Sequence, residues 1–288
     1  MTPWLALTLG GVLLAGLLPL GVHLGFRAPR VRAHRSPADL GLAFEAVRIP
    51  TVRGRSLAGW LLPAADSAAT VVMVHGWGSN AAQMLPLALP LTRAGFNVLA
   101  FDVRNHGASD ADTFSSLPRF AEDLAAAVTW LQRQRPGGSA TIAALGHSVG
   151  AGAALLEATR NPSIGAVVSI GAFAHPAEVN RRYLAQVYLP QPVVWLVRRY
   201  VEWLIGYDFA SIAPVNTIRH ARCPVLLVHG TRDRRVPIMD ARRIAAAADP
   251  TKVTLFEVAG ADHDSVDLVE VHSDRLVHFL REALVAGR

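Results

Sequence analysis

The stretch Gly146-His147-Ser148-Val149-Gly150 decides how the rest of the chain is read. It lies between the apolar run Thr141 to Leu145 and the small-residue run Ala151 to Ala158, which predicts a strand, a very tight turn and a helix. A turn that sharp pushes the serine side chain out at the carboxyl end of the strand. Glycines two residues to either side let neighbouring backbone pass without a Cβ clash. A serine hydroxyl is a poor nucleophile until a base takes its proton, so Ser148 asks for partners elsewhere in the chain. Taken alone, the pentapeptide is equally compatible with a serine that merely caps a strand-to-helix turn.

The partners follow in order. His75-Gly76-Trp77-Gly78 comes directly after the apolar run Thr70 to Val74, where a loop can offer backbone N–H groups. Asp233 closes His229-Gly230-Thr231-Arg232-Asp233, after Val225 to Val228, and His263 lies just beyond Val253 to Val258. Each polar group therefore falls at the carboxyl end of a predicted parallel strand, where open α/β sheets place their ligands. For His263 the competing reading is a loop histidine between Asp262 and Asp264, and for Asp233 a turn carboxylate paired with Arg232, Arg234 or Arg235.

From Phe44 to the C-terminus the chain resembles the α/β-hydrolases of the serine-esterase type, in which serine, acid and histidine occur in this order. Asp102-Val103-Arg104-Asn105-His106-Gly107-Ala108-Ser109 resembles the loop after the fourth strand in many of these esterases. The resemblance implies a mostly parallel, doubly wound sheet with a helical cap. It also implies a nucleophile at Ser148, a general base at His263 oriented by Asp233, and an oxyanion hole from the backbone N–H groups of Trp77 and Val149. Asp102, Arg104 and His106 are expected to serve loop structure first, with His106 the one that could border the site.

Outside these motifs, strands alternate with helical patterns. Phe44 to Thr51 and Ser56 to Leu62 flank Arg53-Gly54-Arg55 as an opening hairpin, and Arg119 to Arg133 carries apolar residues at helical spacing. Between the strands Ile164 to Ile170 and Val225 to Val228 the segment Ala174 to Thr217 is too long for a simple crossover. It holds Tyr183, Tyr188, Trp195, Tyr200, Trp203 and Tyr207. It is read as a cap whose Val193 to Ile205 helix lines an acyl pocket or touches a membrane, or whose aromatics simply pack it on the body.

The chain divides into a membrane segment (residues 1–26), a basic linker (27–40) and a hydrolase domain (41–288). Trp4 to Phe26 contains no Asp, Glu, Lys or Arg, enough to cross a hydrocarbon core of about 30 Å as a helix. No Lys or Arg precedes it, and Arg27, Arg30, Arg32 and Arg35 follow it, which favours a retained single-pass anchor with a cytoplasmic catalytic domain. The alternatives are a signal peptide cleaved on export and a buried helix. The linker is expected to lie on anionic headgroups.

Composition narrows the rest. A formal charge of +6 comes from dispersed arginines, with no RNA-binding signature, so nucleic acid is not an expected partner. The single cysteine, Cys223, reads as a buried structural thiol, and neither a metal nor a cofactor is expected. The expected substrate is a small-molecule or lipid ester, or a thioester. A serine peptidase of the same fold and a non-catalytic binding protein on that fold are the rival readings. Oligomeric state and acyl chain length are not legible.

Overall fold

The computed structural model describes residues 4, 16, 17, 19–25, 27–64, 69–134, 141–185 and 188–285. Its centre is an eight-stranded sheet whose strands lie side by side in the order Glu45–Pro50, Ser56–Leu62, Asn97–Phe101, Ala69–Val74, Thr141–His147, Ile164–Ile170, Val225–Gly230 and Val253–Val258. β1 (Glu45–Pro50) and β2 (Ser56–Leu62) form the expected antiparallel hairpin, and β2 also runs antiparallel to β4 (Asn97–Phe101). From β4 onward the neighbours are parallel: β3 (Ala69–Val74), β5 (Thr141–His147), β6 (Ile164–Ile170), β7 (Val225–Gly230) and β8 (Val253–Val258). Parallel strands need covered faces, and their residues are accordingly buried on both sides, as along Val71 to Val74.

Alternation along the strands sorts the core into two layers. Val72, Val74, Leu99 and Phe101 face the helices Leu117–Gln134 and Val149–Ala158. Val71, Met73, Val98 and Ala100 face Leu85–Arg93 and Ser273–Val285 on the other side. The segment expected to be a cap contains the helices Pro176–Ala185, Gln191–Ile205 and Pro214–Thr217. Ion pairs tie it to the helix Ile238–Ala247, Arg182 to Asp240 at 2.9 Å and Glu178 to Arg243 at 2.7 Å.

Most of the membrane segment, residues 1–26, lies outside the described residues. Among the described residues no helix is long and apolar enough to cross a membrane. Residues 19–25 are helical, with Val22 buried in the main core and Leu20 and Leu24 exposed. The segment 27–40, read from sequence as a linker on headgroups, is largely exposed but touches the domain at a few residues. Arg30 donates to the Ser109 carbonyl at 2.8 Å, Asn80 donates to the Val31 carbonyl at 3.1 Å, and Pro37 opens a short 3-10 helix and is buried. Of the arginines in this segment Arg30 is engaged by the domain, its guanidinium meeting backbone carbonyls, while Arg27, Arg32 and Arg35 are exposed.

The loop after β4 is built on a buried ion network. Arg104, only 2% exposed in its side chain, reaches Asp123 at 2.7 Å, Glu122 at 2.7 Å and Asp112 at 3.0 Å. Burial pushes the Asp123 carboxyl up to about 6 even against the attraction of Arg104. Removing one partner of such a set strands the others, so Arg104→Ala is expected to cost about 3–5 kcal/mol. In urea unfolding, a double variant Arg104→Met, Asp123→Leu should lie closer to wild type than Arg104→Ala does.

Candidate active site

β5 carries the serine to the carboxyl end of the sheet and turns abruptly. Ser148 has φ 54° and ψ −115°, outside the usual range for a residue with a Cβ, and its N–H donates to the Ile170 carbonyl at 2.8 Å. The flanking glycines are dictated by contact. A Cβ on Gly146 would stand 2.2 Å from the Gly150 carbonyl oxygen, and one on Gly150 would stand 2.4 Å from that of Val74. The turn is therefore wedged between the ends of β3 and β6.

The structure brings Ser148, His263 and Asp233 into one hydrogen-bonded chain. Ser148 Oγ lies 2.9 Å from His263 Nε2, and His263 Nδ1 lies 2.7 Å from Asp233 Oδ2. The other Asp233 oxygen accepts the backbone N–H groups of Arg235 at 2.9 Å and Val236 at 2.7 Å. Burial works to raise the Asp233 pKa, but the His263 and Val236 hydrogen bonds outweigh it and hold the carboxyl below its ordinary value. The flanking acids are occupied elsewhere, Asp264 with Arg235 at 3.0 Å and Asp262 with the Ser265 hydroxyl at 2.6 Å.

The loop from Gly76 to Asn80 flanks the serine. A Cβ on Gly76 would lie 3.3 Å from Ser148 Cβ, so the backbone leading into Trp77 passes beside Ser148. On the other side Val149 opens the helix Val149–Ala158, in the turn whose N–H groups have no partner within a helix. The Trp77 ring stands edge-on to His106 rather than reaching into open space.

Three buried histidines knit these loops together. Each bonds backbone at one or both ring nitrogens. His75 donates to the Gly76 carbonyl at 2.7 Å and accepts the Val103 N–H at 3.2 Å. His106 donates to the Arg104 carbonyl at 3.0 Å and accepts the Gly78 N–H at 3.1 Å. His147 donates to the carbonyl of His263 at 2.8 Å, which fixes the loop that carries the imidazole, while its Nδ1 has no protein partner. Sequence reading gave His106 a possible place at the border and passed over His147. Its only signal was its position beside Ser148, at the end of a buried strand.

The segment expected to be a cap divides its aromatics. Val197 and Val201 face the core and Tyr200 and Tyr207 pack partly against it, whereas Trp195, Trp203, Tyr183 and Tyr188 are 60%, 73%, 62% and 93% exposed. A cavity of about 630 Å³ opens elsewhere, lined by Arg30, Arg32, Arg48, Trp60, Asp102 and neighbours, without Ser148 or His263. No metal-binding group of acidic, histidine and cysteine side chains occurs among the described residues.

With this geometry in view, the sequence model of the family described as "Serine aminopeptidase, S33" matches residues 65–207, which include Ser148 and the Gly76 loop but not Asp233 or His263. An uncharacterized Mycobacterium tuberculosis protein is 32% identical over 84% of this chain and 81% of its own length. The chain belongs to the α/β-hydrolase family of serine hydrolases. A Pyrococcus furiosus esterase superposes with a TM-score of 0.73 at 26% identity, covering 90% of this hydrolase and 97% of the esterase. An esterase domain from a Rhodothermus marinus protein gives 0.61 at 26% identity, over 83% and 99% of the two chains.

The neutral histidines set an acid limit. Burial, the largest cause in each, pushes His75, His106 and His147 down to about 4. Unfolded, each would bind a proton near pH 6.5, so between pH 6.5 and 4 the unfolded chain holds more protons and stability falls as pH falls. Asp123, raised to about 6, offsets one of the three. For these four groups the net is about two protons, on the order of 2–3 kcal/mol per pH unit near pH 5. Urea unfolding at pH 7 and pH 5 checks this, and equal stabilities at the two values would show that these histidines are not held neutral.

Proposed function

We propose that the protein is a serine esterase that cleaves carboxylic esters through an acyl-enzyme on Ser148. The observation that carries this reading is the hydrogen-bonded chain Asp233–His263–Ser148, at 2.7 Å and 2.9 Å. In this scheme His263 takes the Ser148 proton as the hydroxyl attacks the carbonyl carbon, then returns it to the departing alcohol. Asp233 holds the imidazole with Nδ1 protonated and stabilises its charged form. The backbone N–H groups of Trp77 and Val149 receive the developing oxyanion. Water, deprotonated by the same imidazole, then releases the acid and regenerates the serine.

The family description includes aminopeptidases, which need an acidic group free to hold a peptide N-terminus. Two of the three cap acids are committed, Glu178 to Arg243 and Arg182 and Glu202 to Arg198 and Arg199, and the third, Asp208, is exposed and 3.8 Å from Arg199, so the cap offers no acidic cluster. This favours an ester over a peptide. We further propose that the charge-free segment Trp4 to Phe26 anchors the protein in the membrane with a cytoplasmic catalytic domain, where the exposed cap tryptophans would meet lipid acyl esters or thioesters.

A fluorophosphonate probe should label wild type and not Ser148→Ala, and p-nitrophenyl esters from acetyl to palmitoyl should be hydrolysed with the rate rising toward longer chains. Ser148→Ala should lower kcat by a factor on the order of 10⁶. Turnover of aminoacyl anilides without turnover of esters would replace this reading with the peptidase. Absence of labelling would point to a binding protein.

A further inference from the structure

The chain that enters the hydrolase domain crosses directly over the loop beside Ser148. A Cβ built on Gly78 would stand 2.8 Å from Pro29 Cγ and 3.1 Å from Pro29 Cδ, so the proline ring rests on the Gly78 backbone. Gly78 has φ +67°, a conformation that its missing side chain permits. One residue on, Arg30 Nη1 donates to the Ser109 carbonyl at 2.8 Å and reaches that of Gly107 at 3.4 Å. The next residue, Val31, accepts the Asn80 side-chain N–H at 3.1 Å, while Asn80 Oδ1 caps Ala82 N–H at 3.0 Å.

The opposite side of the same loop is held by the domain itself. His106 accepts the Gly78 N–H at 3.1 Å, and Asp102 accepts the Ala81 N–H at 2.7 Å and the Ala108 N–H at 2.8 Å. The Gly76 to Asn80 backbone is thus clasped between His106 and Asp102 below and residues 29–31 above. Cavities open on both sides of this crossing, one involving Arg32 and Trp60, the other Arg27, Ala28 and Phe114. Pro29, Arg30 and Val31 therefore make the close contact, with little packing beside them.

We propose that residues 29–31 act as a strap that positions the oxyanion loop, with Arg30 pinning the strap and Pro29 restraining Gly78. The catalytic part of this inference rests on the serine-esterase reading. Arg30 and Pro29 touch no reacting atom in it. They act through the backbone that carries the Trp77 N–H, whose value to the transition state depends on its placement to a fraction of an ångström. Loosening the strap should affect the oxyanion more than the bound ester.

The test uses the full chain with Arg30→Ala, Arg30→Lys and Pro29→Gly. For Arg30→Ala, kcat on p-nitrophenyl butyrate is expected to fall about tenfold with KM nearly unchanged, and inhibition by a trifluoromethyl ketone transition-state mimic to weaken by the same factor. Arg30→Lys, which keeps a donor for the Ser109 carbonyl, should recover most of the loss, and Pro29→Gly should resemble Arg30→Ala. Amide hydrogen exchange supplies the readout independent of substrate. Peptides spanning residues 76–80 should exchange faster in Arg30→Ala, and peptides of β7 should not. Unchanged exchange at 76–80, or unchanged kcat in a folded Arg30→Ala, overturns the strap. Faster exchange at 76–80 in a protein whose wild type cleaves no ester would support the strap's hold on the loop and reject the esterase reading instead.

Discussion

Everything at the carboxyl end of the sheet depends on backbone packed against backbone at the serine turn. The Gly150 Cα fits between the carbonyl groups of Val74 and His75, and Gly146 fits under Gly150 itself, with no room for a methyl group at either place. That contact locks β5 to β3 and forces Ser148 into positive φ, where its side chain projects from the sheet. The strain at one residue persists because the parallel ladders on both sides of β5 over-determine it. A more relaxed turn would lay the hydroxyl against its own strand and out of reach of His263.

Around that turn, apart from Ser148, His263 and Asp233 themselves, several buried polar side chains are given over to backbone. His75, His106, Asp102 and Asn80 each satisfy main-chain groups of loops that have no ladder of their own. Neutral imidazole suits the task because one ring nitrogen donates and the other accepts, so a single buried side chain can join two loops without a charge to desolvate. His147 departs from the pattern with one nitrogen bonded and the other without a protein partner. The geometry of the site is therefore distributed through residues that never approach the serine oxygen.

Much of this was legible in the sequence where a residue's role follows from its neighbours in the chain. The strands Ile164–Ile170 and Val253–Val258 have the ends expected from their apolar runs. The positions of Ser148, Asp233 and His263 could be read because each falls at the end of such a strand. What could not be read was set by contacts distant in sequence. Nothing near Arg30 reveals that it will meet Ser109, and basic composition suggested a lipid surface instead. The cap aromatics were ambiguous for the same reason. A helical period says which residues share a face, but only the packed body decides that Val197 and Val201 turn inward and that Trp195 and Trp203 stay exposed.

The short path from the N-terminal helix to Pro29 also limits how the molecule can stand relative to anything the N-terminus holds. The Arg27 N–H bonds to the Leu24 carbonyl at 3.3 Å, and Arg27 stands two residues before Pro29. Two residues reach at most about 7 Å. A tether of that length gives almost no swivel. Under the anchoring proposed above, whatever held the preceding helix would also set the tilt of the sheet and the direction Ser148 faces, so that substrate would come to one fixed aperture rather than be sought by a roaming domain.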